Sequence, residues 1–334
     1  MKRRIVFLFA GFFLFATVFP AAELLSAPYY EGKVIKMVVG SPPGGGNDRT
    51  ARLLARHLPK YIPGKPTIIV ENNSAGASLA AANYIYSAKP NGLTFGLIMK
   101  SLPFSQLLKV EAVRFDITKY SWLGSAMVES TLFTIRSDLP YKTFQELQKT
   151  KQTIYIAGQG ANTFGDQWSK MIIEFLGVNG KMVGYRGTAE SVLALERKEV
   201  DASVFSFNAA RPYLDRGLVR PVLRTRILSE GVEHLPNGED LTDNKMGKVI
   251  MAVHSSTGLV AKPFIAPPGI PPELLNILKE GFSKALKDPV LQAESDKEML
   301  DVQYVPPEEC LKVMHYIFGQ PPEVVKELGR YVKF

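Results

Sequence analysis

The sequence predicts an α/β protein folded as two lobes with a ligand cleft between them. Short apolar runs of β type alternate with helical patterns along most of the chain. Glycine-rich loops that open onto helices occur in both halves. The chain has 334 residues, 46% of them hydrophobic, which is enough for two lobes with their own cores. Because small ligands bind in crevices between paired α/β units, the loops are expected to face each other across a cleft.

The first part of the chain alternates strands, loops and helices. An apolar run predicts a strand over Val34–Val39, and apolar residues at helical spacing predict a helix over Arg49–Leu58, capped by the polar residue at 47 or 48. Strands are predicted over Thr67–Val70 and Leu93–Met99, on either side of a loop and an alanine-rich helix. Glycine lets backbone N–H groups approach a ligand closely, and a helix N-terminus favours negative charge. The loop before the first helix is therefore expected to bind an anion.

The second part repeats this arrangement. Its polar loop GQGANTFGD opens a helix that carries Trp168, Met171 and Phe175, much as the first glycine loop does. Near the C-terminal end, an apolar strand, a proline-rich turn and an amphipathic helix follow one another. The other elements predicted here are strands over Thr131–Ile135, Thr153–Ala157 and Ala202–Phe205, a helix over Phe144–Lys149, and a short strand and a helix to about Arg197 on either side of the loop Tyr185–Thr188.

The first 22 residues have the pattern of a secretory signal peptide. Three basic residues precede an uninterrupted apolar run over Ile5–Phe19, and small residues follow at Ala21 and Ala22. The alternative is an uncleaved single-helix anchor. The pattern predicts an exported protein, located in the periplasm.

The charge distribution argues against a nucleic-acid partner. Without the three basic residues of the signal, the 40 lysines and arginines become 37, and the net charge falls from +8 to +5. The basic residues are scattered and form no block, and no RNA-binding signature is present. A mild positive excess is suited to attracting small anions.

Motifs for catalysis, metal binding and cofactors are missing from the sequence. Cys310 is the only cysteine, which excludes an intrachain disulfide and predicts a small buried hydrophobic residue. The four histidines lack the spacing of metal ligands, and the first glycine loop has neither a GxGxxG nor a P-loop ending. We therefore expect no metal, no cofactor and no catalysis. The alternative is a secreted α/β enzyme acting on a small anionic substrate.

Six motifs cover most of the chain after the signal: GSPPGGGNDRTARLLARHLPKYIPGKPTIIVENNSAGASLAAANYIY, KPNGLTFG, FDITKYSWLGS, GYRGTAE, ERKEVDASVF and GLVAKPFIAPPGIPPELLNILKEGFSKALKDP. Together and in this order they resemble the extracytoplasmic solute receptors of tripartite tricarboxylate transporters, also called Bug-type receptors.

The resemblance implies a type II periplasmic-binding-protein fold that holds a small carboxylate ligand between two α/β lobes. It also implies delivery of the ligand to the membrane permease subunits of the transporter, and the receptor is expected to be a monomer. Lobe 1 is expected to comprise residues 28–123 and 225–334, and lobe 2 residues 124–224. A chain that crosses twice between lobes forms a hinge.

The resemblance also places a set of residues at the ligand. In lobe 1 these are Pro43, Gly44, Gly45, Gly46, Asn47, Asp48, Ala75, Gly76, Lys100 and Ser101. In lobe 2 they are Gly160, Ala161, Asn162, Thr163, Tyr185, Arg186, Gly187, Thr188, Ser206 and Asn208.

Four of these side chains have alternative roles. Asp48 is expected to cap the helix or to orient backbone amides, unless the ligand carries an ammonium group. The Arg186 guanidinium can bind a carboxylate through two hydrogen bonds or lie on the surface. Lys100 has the same two alternatives. The hydroxyl of Tyr185 donates to the ligand, or its ring packs within the lobe.

Overall fold

A computed structural model describes residues 27–160 and 163–332. The predicted signal peptide and the predicted site residues Ala161 and Asn162 lie outside the described residues. Within the described ranges the chain forms ten strands in two sheets, together with twelve α-helices.

The first sheet has the strand order β2-β1-β3-β10-β4. Strand β1 runs parallel to both of its neighbours, while β10 lies antiparallel between β3 and β4. The late strand β10 thus returns from the far end of the chain to the first sheet. The strands are β1 (Val34–Val39), β2 (Thr67–Asn72), β3 (Thr94–Leu97), β4 (Ser121–Ser125) and β10 (Pro263–Ala266).

The second sheet has the strand order β7-β6-β8-β5-β9. Strand β6 pairs in parallel with β7 and β8, and β5 lies antiparallel between β8 and β9. Both sheets therefore place one antiparallel strand next to a parallel group. The strands are β5 (Thr131–Arg136), β6 (Ile154–Gly158), β7 (Gly180–Gly184), β8 (Ala202–Ser206) and β9 (Val219–Arg224).

Helices cover the faces of both sheets. They are α1 (Gly46–His57), α2 (Leu79–Ser87), α3 (Leu102–Leu107), α4 (Phe144–Lys149), α5 (Phe164–Leu176), α6 (Thr188–Glu196), α7 (Phe207–Asp215), α8 (Lys245–Ser256), α9 (Pro272–Leu286), α10 (Pro289–Lys297), α11 (Pro307–Phe318) and α12 (Pro322–Tyr331). The predicted boundaries of the two lobes stay a prediction. Helices α8 and α12 pack against α5, beside the second sheet.

Helix α5 shows how local sequence fixes an element. The Thr163 hydroxyl accepts a hydrogen bond from the Asp166 N–H at the start of the helix, and Gly177 ends it in a left-handed conformation. Between these ends Trp168, Met171 and Ile172 are fully buried at helical spacing. The predicted helix in this position is confirmed.

Two chain segments connect the sheets, residues 126–130 and 257–262, and we call them the hinge segments. They run side by side and are joined by three backbone hydrogen bonds. The N–H of Ala126 donates to the carbonyl of Lys262 at 3.0 Å, that of Ala261 to Met127 at 3.0 Å, and that of Glu129 to Gly258 at 2.9 Å. The hinge segments therefore form a short ribbon between the two sheets.

Candidate functional site

The glycine loop between β1 and α1 presents main-chain atoms to solvent. Residues 42–46 are exposed, Gly44 has a positive φ of 80°, and α1 begins at Gly46 after an extended Gly45, with no side chain capping it. The helix begins three residues earlier than predicted, and the expected cap at 47 or 48 is wrong. The first N–H groups of α1 are left available to an anion.

The buried carboxylate of Asp48 orients this loop. It accepts hydrogen bonds from the Gly44 N–H at 2.8 Å, from Arg52 Nε at 3.0 and 3.1 Å, and from Asn72 Nδ2 at 2.9 Å. Burial by itself raises the pKa of Asp48, but the hydrogen bonds from Arg52, Gly44 and Asn72 outweigh it and lower the pKa. Asp48 thus has the role of amide orienter that the sequence offered as one alternative.

The second lobe uses the same device. Asp166 is the third residue of α5, as Asp48 is of α1, and its Oδ1 accepts the N–H of Gln159 in the loop after β6 at 2.8 Å. Burial of this carboxylate raises its pKa. The predicted site residue Gly160, with a φ of 119°, lies in this loop, and Thr163 at its end caps α5.

Three consecutive left-handed residues shape the loop between β2 and α2: Gly76, Ala77 and Ser78, with φ values of 60°, 51° and 81°. The hydroxyl of Ser78 is buried and accepts the Met99 N–H at 3.2 Å. The predicted residues Ala75 and Gly76 are exposed at the turn. Left-handed backbone at residues other than glycine is costly, and it concentrates at functional loops.

Lys100 follows β3 and reaches the second sheet. Its Nζ donates to Thr131 Oγ1 at 3.0 Å and lies 4.2 Å from the ring centre of Phe164. Burial lowers the pKa of Lys100 to about 8; Glu129 opposes this shift, and Lys262 adds to it. The neighbouring residue Ser101, also predicted at the ligand, is buried and is the N-cap residue of α3. Lys100 is thus a partly buried cation that bridges the two lobes.

The hinge segments add two charged residues that sequence reasoning missed, Glu129 and Lys262. They are 2% and 8% exposed, and their charged atoms, Oε2 and Nζ, lie 4.0 Å apart. Lys262 Nζ also donates to Asn47 Oδ1 at 2.8 Å, at the start of α1. The sequence carried a signal for Lys262, which interrupts the apolar run GLVAKPFIA, but none for Glu129, which is followed by Ser130 and Thr131. We call the group formed by Asn47, Lys100, Glu129, Thr131 and Lys262 the hinge cluster.

An aromatic stack lies beside the hinge cluster and joins three helices. His254 of α8 is buried between Phe164, at 4.0 Å, and Phe104, at 5.3 Å between ring centres. Its Nε2 is 2.9 Å from Gln167 Oε1. Burial, together with the nearby Lys100 cation, lowers the pKa of His254 to about 3, so the imidazole is neutral at neutral pH.

The predicted residues of the loop at 185–188 make contacts within the second lobe. The Tyr185 hydroxyl donates to Glu199 Oε2 at 3.4 Å, and the Thr188 hydroxyl to Gln159 Oε1 at 3.1 Å. The Arg186 N–H donates to Glu190 Oε2 at 2.9 Å, and its side chain is exposed. Gly187 precedes the first residue of α6. This loop therefore presents a guanidinium at the surface of the second lobe.

The predicted residues after β8 lie where the two lobes meet. Ser206 is half-buried at the end of the strand. The Asn208 amide donates to the carbonyl of Leu300 at 2.6 Å, and Arg211 forms an ion pair with Asp301 at 2.9 Å. Asn208 thus binds the main chain of a segment whose Leu300 side chain packs in the core beside the first sheet.

The described residues offer neither a cluster of metal ligands nor a membrane-spanning helix. Among residues 27–160 and 163–332, no three His, Cys, Asp or Glu side chains are grouped as metal ligands. In those same two ranges no helix is both long and apolar enough to span a membrane. Cys310 is buried, as predicted, and burial raises the pKa of its thiol to about 12.

Two α/β lobes joined by paired hinge segments, with amide-rich loops and a cationic cluster between them, define a periplasmic-binding-protein fold. The family model described as "Tripartite tricarboxylate transporter family receptor" matches residues 50–329, and the chain belongs to this family. The resemblance noted from the sequence motifs and the predicted fold class are confirmed.

Individual relatives agree with this assignment. The chain is 25% identical to the UPF0065 protein in the gbd 5′ region of Cupriavidus necator, over 91% of this chain and 90% of the relative. The structure of the periplasmic binding protein BugD shares the fold, with a TM-score of 0.71 and 21% identity over 91% of this chain and 99% of that one.

Two related structures contain organic acids. MatC from Rhodopseudomonas palustris, solved with bound malate, has a TM-score of 0.66 and 18% identity over 90% of this chain and 99% of that one. Rpa4515 from R. palustris, solved with adipate, has a TM-score of 0.70 and 17% identity over 89% and 98%. At these identities the similarity establishes the fold.

Proposed function

We propose that this protein is a periplasmic receptor that binds a small organic acid between its lobes without chemical change and delivers it to a tripartite tricarboxylate-type permease. The observation that carries the proposal is the exposed N-terminus of α1, whose free N–H groups lie beside the Lys262 ammonium of the hinge cluster. Membership of the receptor family and the malate and adipate found in structures of the same fold support it.

One carboxylate of the ligand is bound by the loop Pro43–Asp48, mainly through backbone N–H groups. Gly44, Gly45 and Gly46 have no side-chain donors, so the hydrogen bonds to the carboxylate must come from the main chain and from water. The dipole of α1 favours the negative charge of the carboxylate. The Asp48 carboxylate accepts the Gly44 N–H and so fixes the conformation of the loop. The second lobe closes on the other end of the ligand with residues 160–163, 185–188, Ser206 and Asn208.

The alternative function is that of a secreted enzyme acting on a small anion. A neutral imidazole and a partly buried lysine near a cleft could serve acid–base chemistry. His254, however, is enclosed by two aromatic rings and fully buried, which keeps its imidazole away from a ligand in the cleft. Binding without turnover is therefore the function that the geometry favours.

A thermal-shift screen of mono-, di- and tricarboxylates tests the proposal. A ligand that binds only the folded state stabilises it by about 2.7 kcal/mol at a hundredfold excess over its dissociation constant. The acid that raises the melting temperature is then incubated with the protein and followed by proton NMR. We expect the acid to remain unchanged. Its consumption at catalytic protein concentration would establish the enzyme alternative.

Export, the permease partner and the monomeric state are parts of the same proposal. N-terminal sequencing of protein from the periplasmic fraction should give a chain that begins near residue 23, whereas intact Met1 in the cytosol would contradict export. Light scattering of the purified protein should give the mass of one chain, with and without ligand.

A further inference from the structure

The hinge cluster holds more positive charge than its own carboxylate balances. Lys262 Nζ lies at the N-terminus of α1, 2.8 Å from Asn47 Oδ1 and 3.7 Å from the position that a Cβ on Gly46 would occupy. Helix N-termini carry partial positive charge, so a buried ammonium there is unfavourable unless an anion lies close by. The Glu129 carboxylate is 4.0 Å away, beyond hydrogen-bond distance. A ligand carboxylate between the α1 amides and Lys262 supplies the missing charge.

The Glu129 carboxylate has an acceptor that is not used. The residue is 2% exposed, and its Oε1 accepts no hydrogen bond from any residue in the described part of the chain. A buried carboxylate oxygen without a donor is costly, and an ionised carboxylate can only accept. A ligand that offered carboxylates alone would leave this oxygen unsatisfied. A ligand O–H or N–H close to its carboxylate would satisfy it.

The position of Glu129 and Lys262 in the hinge segments keeps the distance between their side chains constant. Glu129 and Lys262 lie on the paired hinge segments, whose backbone hydrogen bonds fix their spacing. Rigid-body closure of two lobes moves the loops much more than the residues near the rotation axis. The pair is therefore formed before a ligand binds, while lobe closure covers the ligand from both sides.

We propose that Glu129 and Lys262 form a subsite for the polar substituent of the ligand, so that the receptor prefers acids with a hydroxyl or ammonium group on the carbon next to a carboxylate. Lys262 and the α1 amides bind that carboxylate, and Glu129 accepts the neighbouring O–H or N–H. This subsite rests on the proposed function and narrows it from carboxylates in general to α-hydroxy or α-amino acids.

Isothermal titration calorimetry with two matched ligand series tests the subsite. The four-carbon series is succinate, malate and aspartate; the six-carbon series is adipate, 2-hydroxyadipate and 2-aminoadipate. In the better-binding series we expect one substituted acid to bind about 10- to 100-fold more tightly than the unsubstituted acid, as for a hydrogen bond to a charged group. The acid that binds most tightly within its series shows whether Glu129 accepts from a hydroxyl or from an ammonium group.

Variants connect the preference to the hinge. The double variant Glu129→Leu/Lys262→Met replaces the pair with apolar groups, a change that buried ion pairs often tolerate. It should bind substituted and unsubstituted acids within about threefold of each other. Glu129→Gln keeps the shape and should lose most of an ammonium preference, but less of a hydroxyl preference. The matched control is Glu280→Gln/Lys284→Met, an exposed ion pair on α9 with 3.1 Å between its charged atoms.

The outcomes separate this subsite from the proposed function. Equal affinity for all three members of a series, or a preference that persists in the double variant, would overturn the subsite and leave organic-acid binding intact. Binding by none of the six acids, together with no shift in the thermal screen of mono-, di- and tricarboxylates, would overturn both. If the melting curve shows that the double variant is unfolded, Glu129→Gln carries the test, and an unchanged preference in that variant refutes the subsite.

Discussion

Lys100→Met is expected to stabilise the ligand-free protein while weakening its affinity for organic acids. Burial lowers the pKa of Lys100 from 10.5 to about 8. At neutral pH, each pKa unit by which burial lowers the pKa of a charged lysine destabilises the folded state by about 1.4 kcal/mol. For Lys100 this gives an upper value of about 3 kcal/mol. The side chain is partly exposed, and the variant loses the hydrogen bond to Thr131 and the contact with Phe164. The net gain should be about 1 to 2 kcal/mol.

The stability gained by Lys100→Met must depend on pH, and the pKa of Lys100 fixes the direction of that dependence. Between about pH 8 and 10.5 the unfolded chain holds the Lys100 proton and the folded chain does not. Stability of the wild type therefore rises with pH through this window, and methionine has no such rise. The advantage of the variant should be full below pH 8 and small at pH 10.

Urea unfolding followed by tryptophan fluorescence at pH 7 and pH 10 measures this difference. Lys284→Met on the exposed face of α9 is the control and should change stability by less than about 0.5 kcal/mol at both pH values. Calorimetry on the same protein should show at least tenfold weaker binding of the acid found in the screen. A Lys100→Met variant that is destabilised equally at both pH values would refute the reasoning.

Three further variants test the glycine loop and the second lobe. Gly45→Val should abolish acid binding with little change in melting temperature, because a Cβ there meets only the Pro42 carbonyl oxygen at 3.8 Å. Asp48→Asn should cost about 1 kcal/mol in stability and weaken binding less than Gly45→Val, because an amide oxygen can still accept the Gly44 N–H. Arg186→Ala should weaken binding of a diacid more than of a monoacid, because only the diacid offers that lobe a second carboxylate. Calorimetry and thermal melts of each variant measure these effects.

Each of these expectations has a result that contradicts it. Unchanged affinity in Gly45→Val would mean that the loop is only a turn. Complete loss of binding in Asp48→Asn would mean that the carboxylate itself contacts the ligand. Equal losses for monoacids and diacids in Arg186→Ala would remove the guanidinium from the ligand contacts.

Local sequence was sufficient to predict the strands and helices named in the sequence analysis, because each of those carries its own periodicity. The apolar run Val34–Val39 is a strand with parallel neighbours on both sides, and four of its six residues are buried. Helix α5 begins at its Thr163 cap and ends at Gly177, both of which are visible in the sequence. The start of α1 was predicted three residues late, since polar caps were expected where glycine leaves the amides free.

The direction of individual side chains in the site could not be predicted from the sequence. Tyr185 was one candidate for a hydroxyl donor to the ligand, and it contacts Glu199 of its own lobe. Asn208 was placed at the ligand, and its amide binds the carbonyl of Leu300. Glu199 and Leu300 lie far enough along the chain from Tyr185 and Asn208 that no local sequence pattern predicts either contact. These contacts are products of how the elements pack.

By itself the sequence determined the α/β class, the two glycine loops at helix N-termini and the family, because these depend on residues that are neighbours along the chain. Only the tertiary structure decided that Glu129 and Lys262, 133 positions apart in the sequence, face each other at 4.0 Å beside Asn47. The physical reason is that charge pairing acts through space. The hinge brings two distant segments together, and the partner of a charged residue on either segment can be identified only once the two segments are paired.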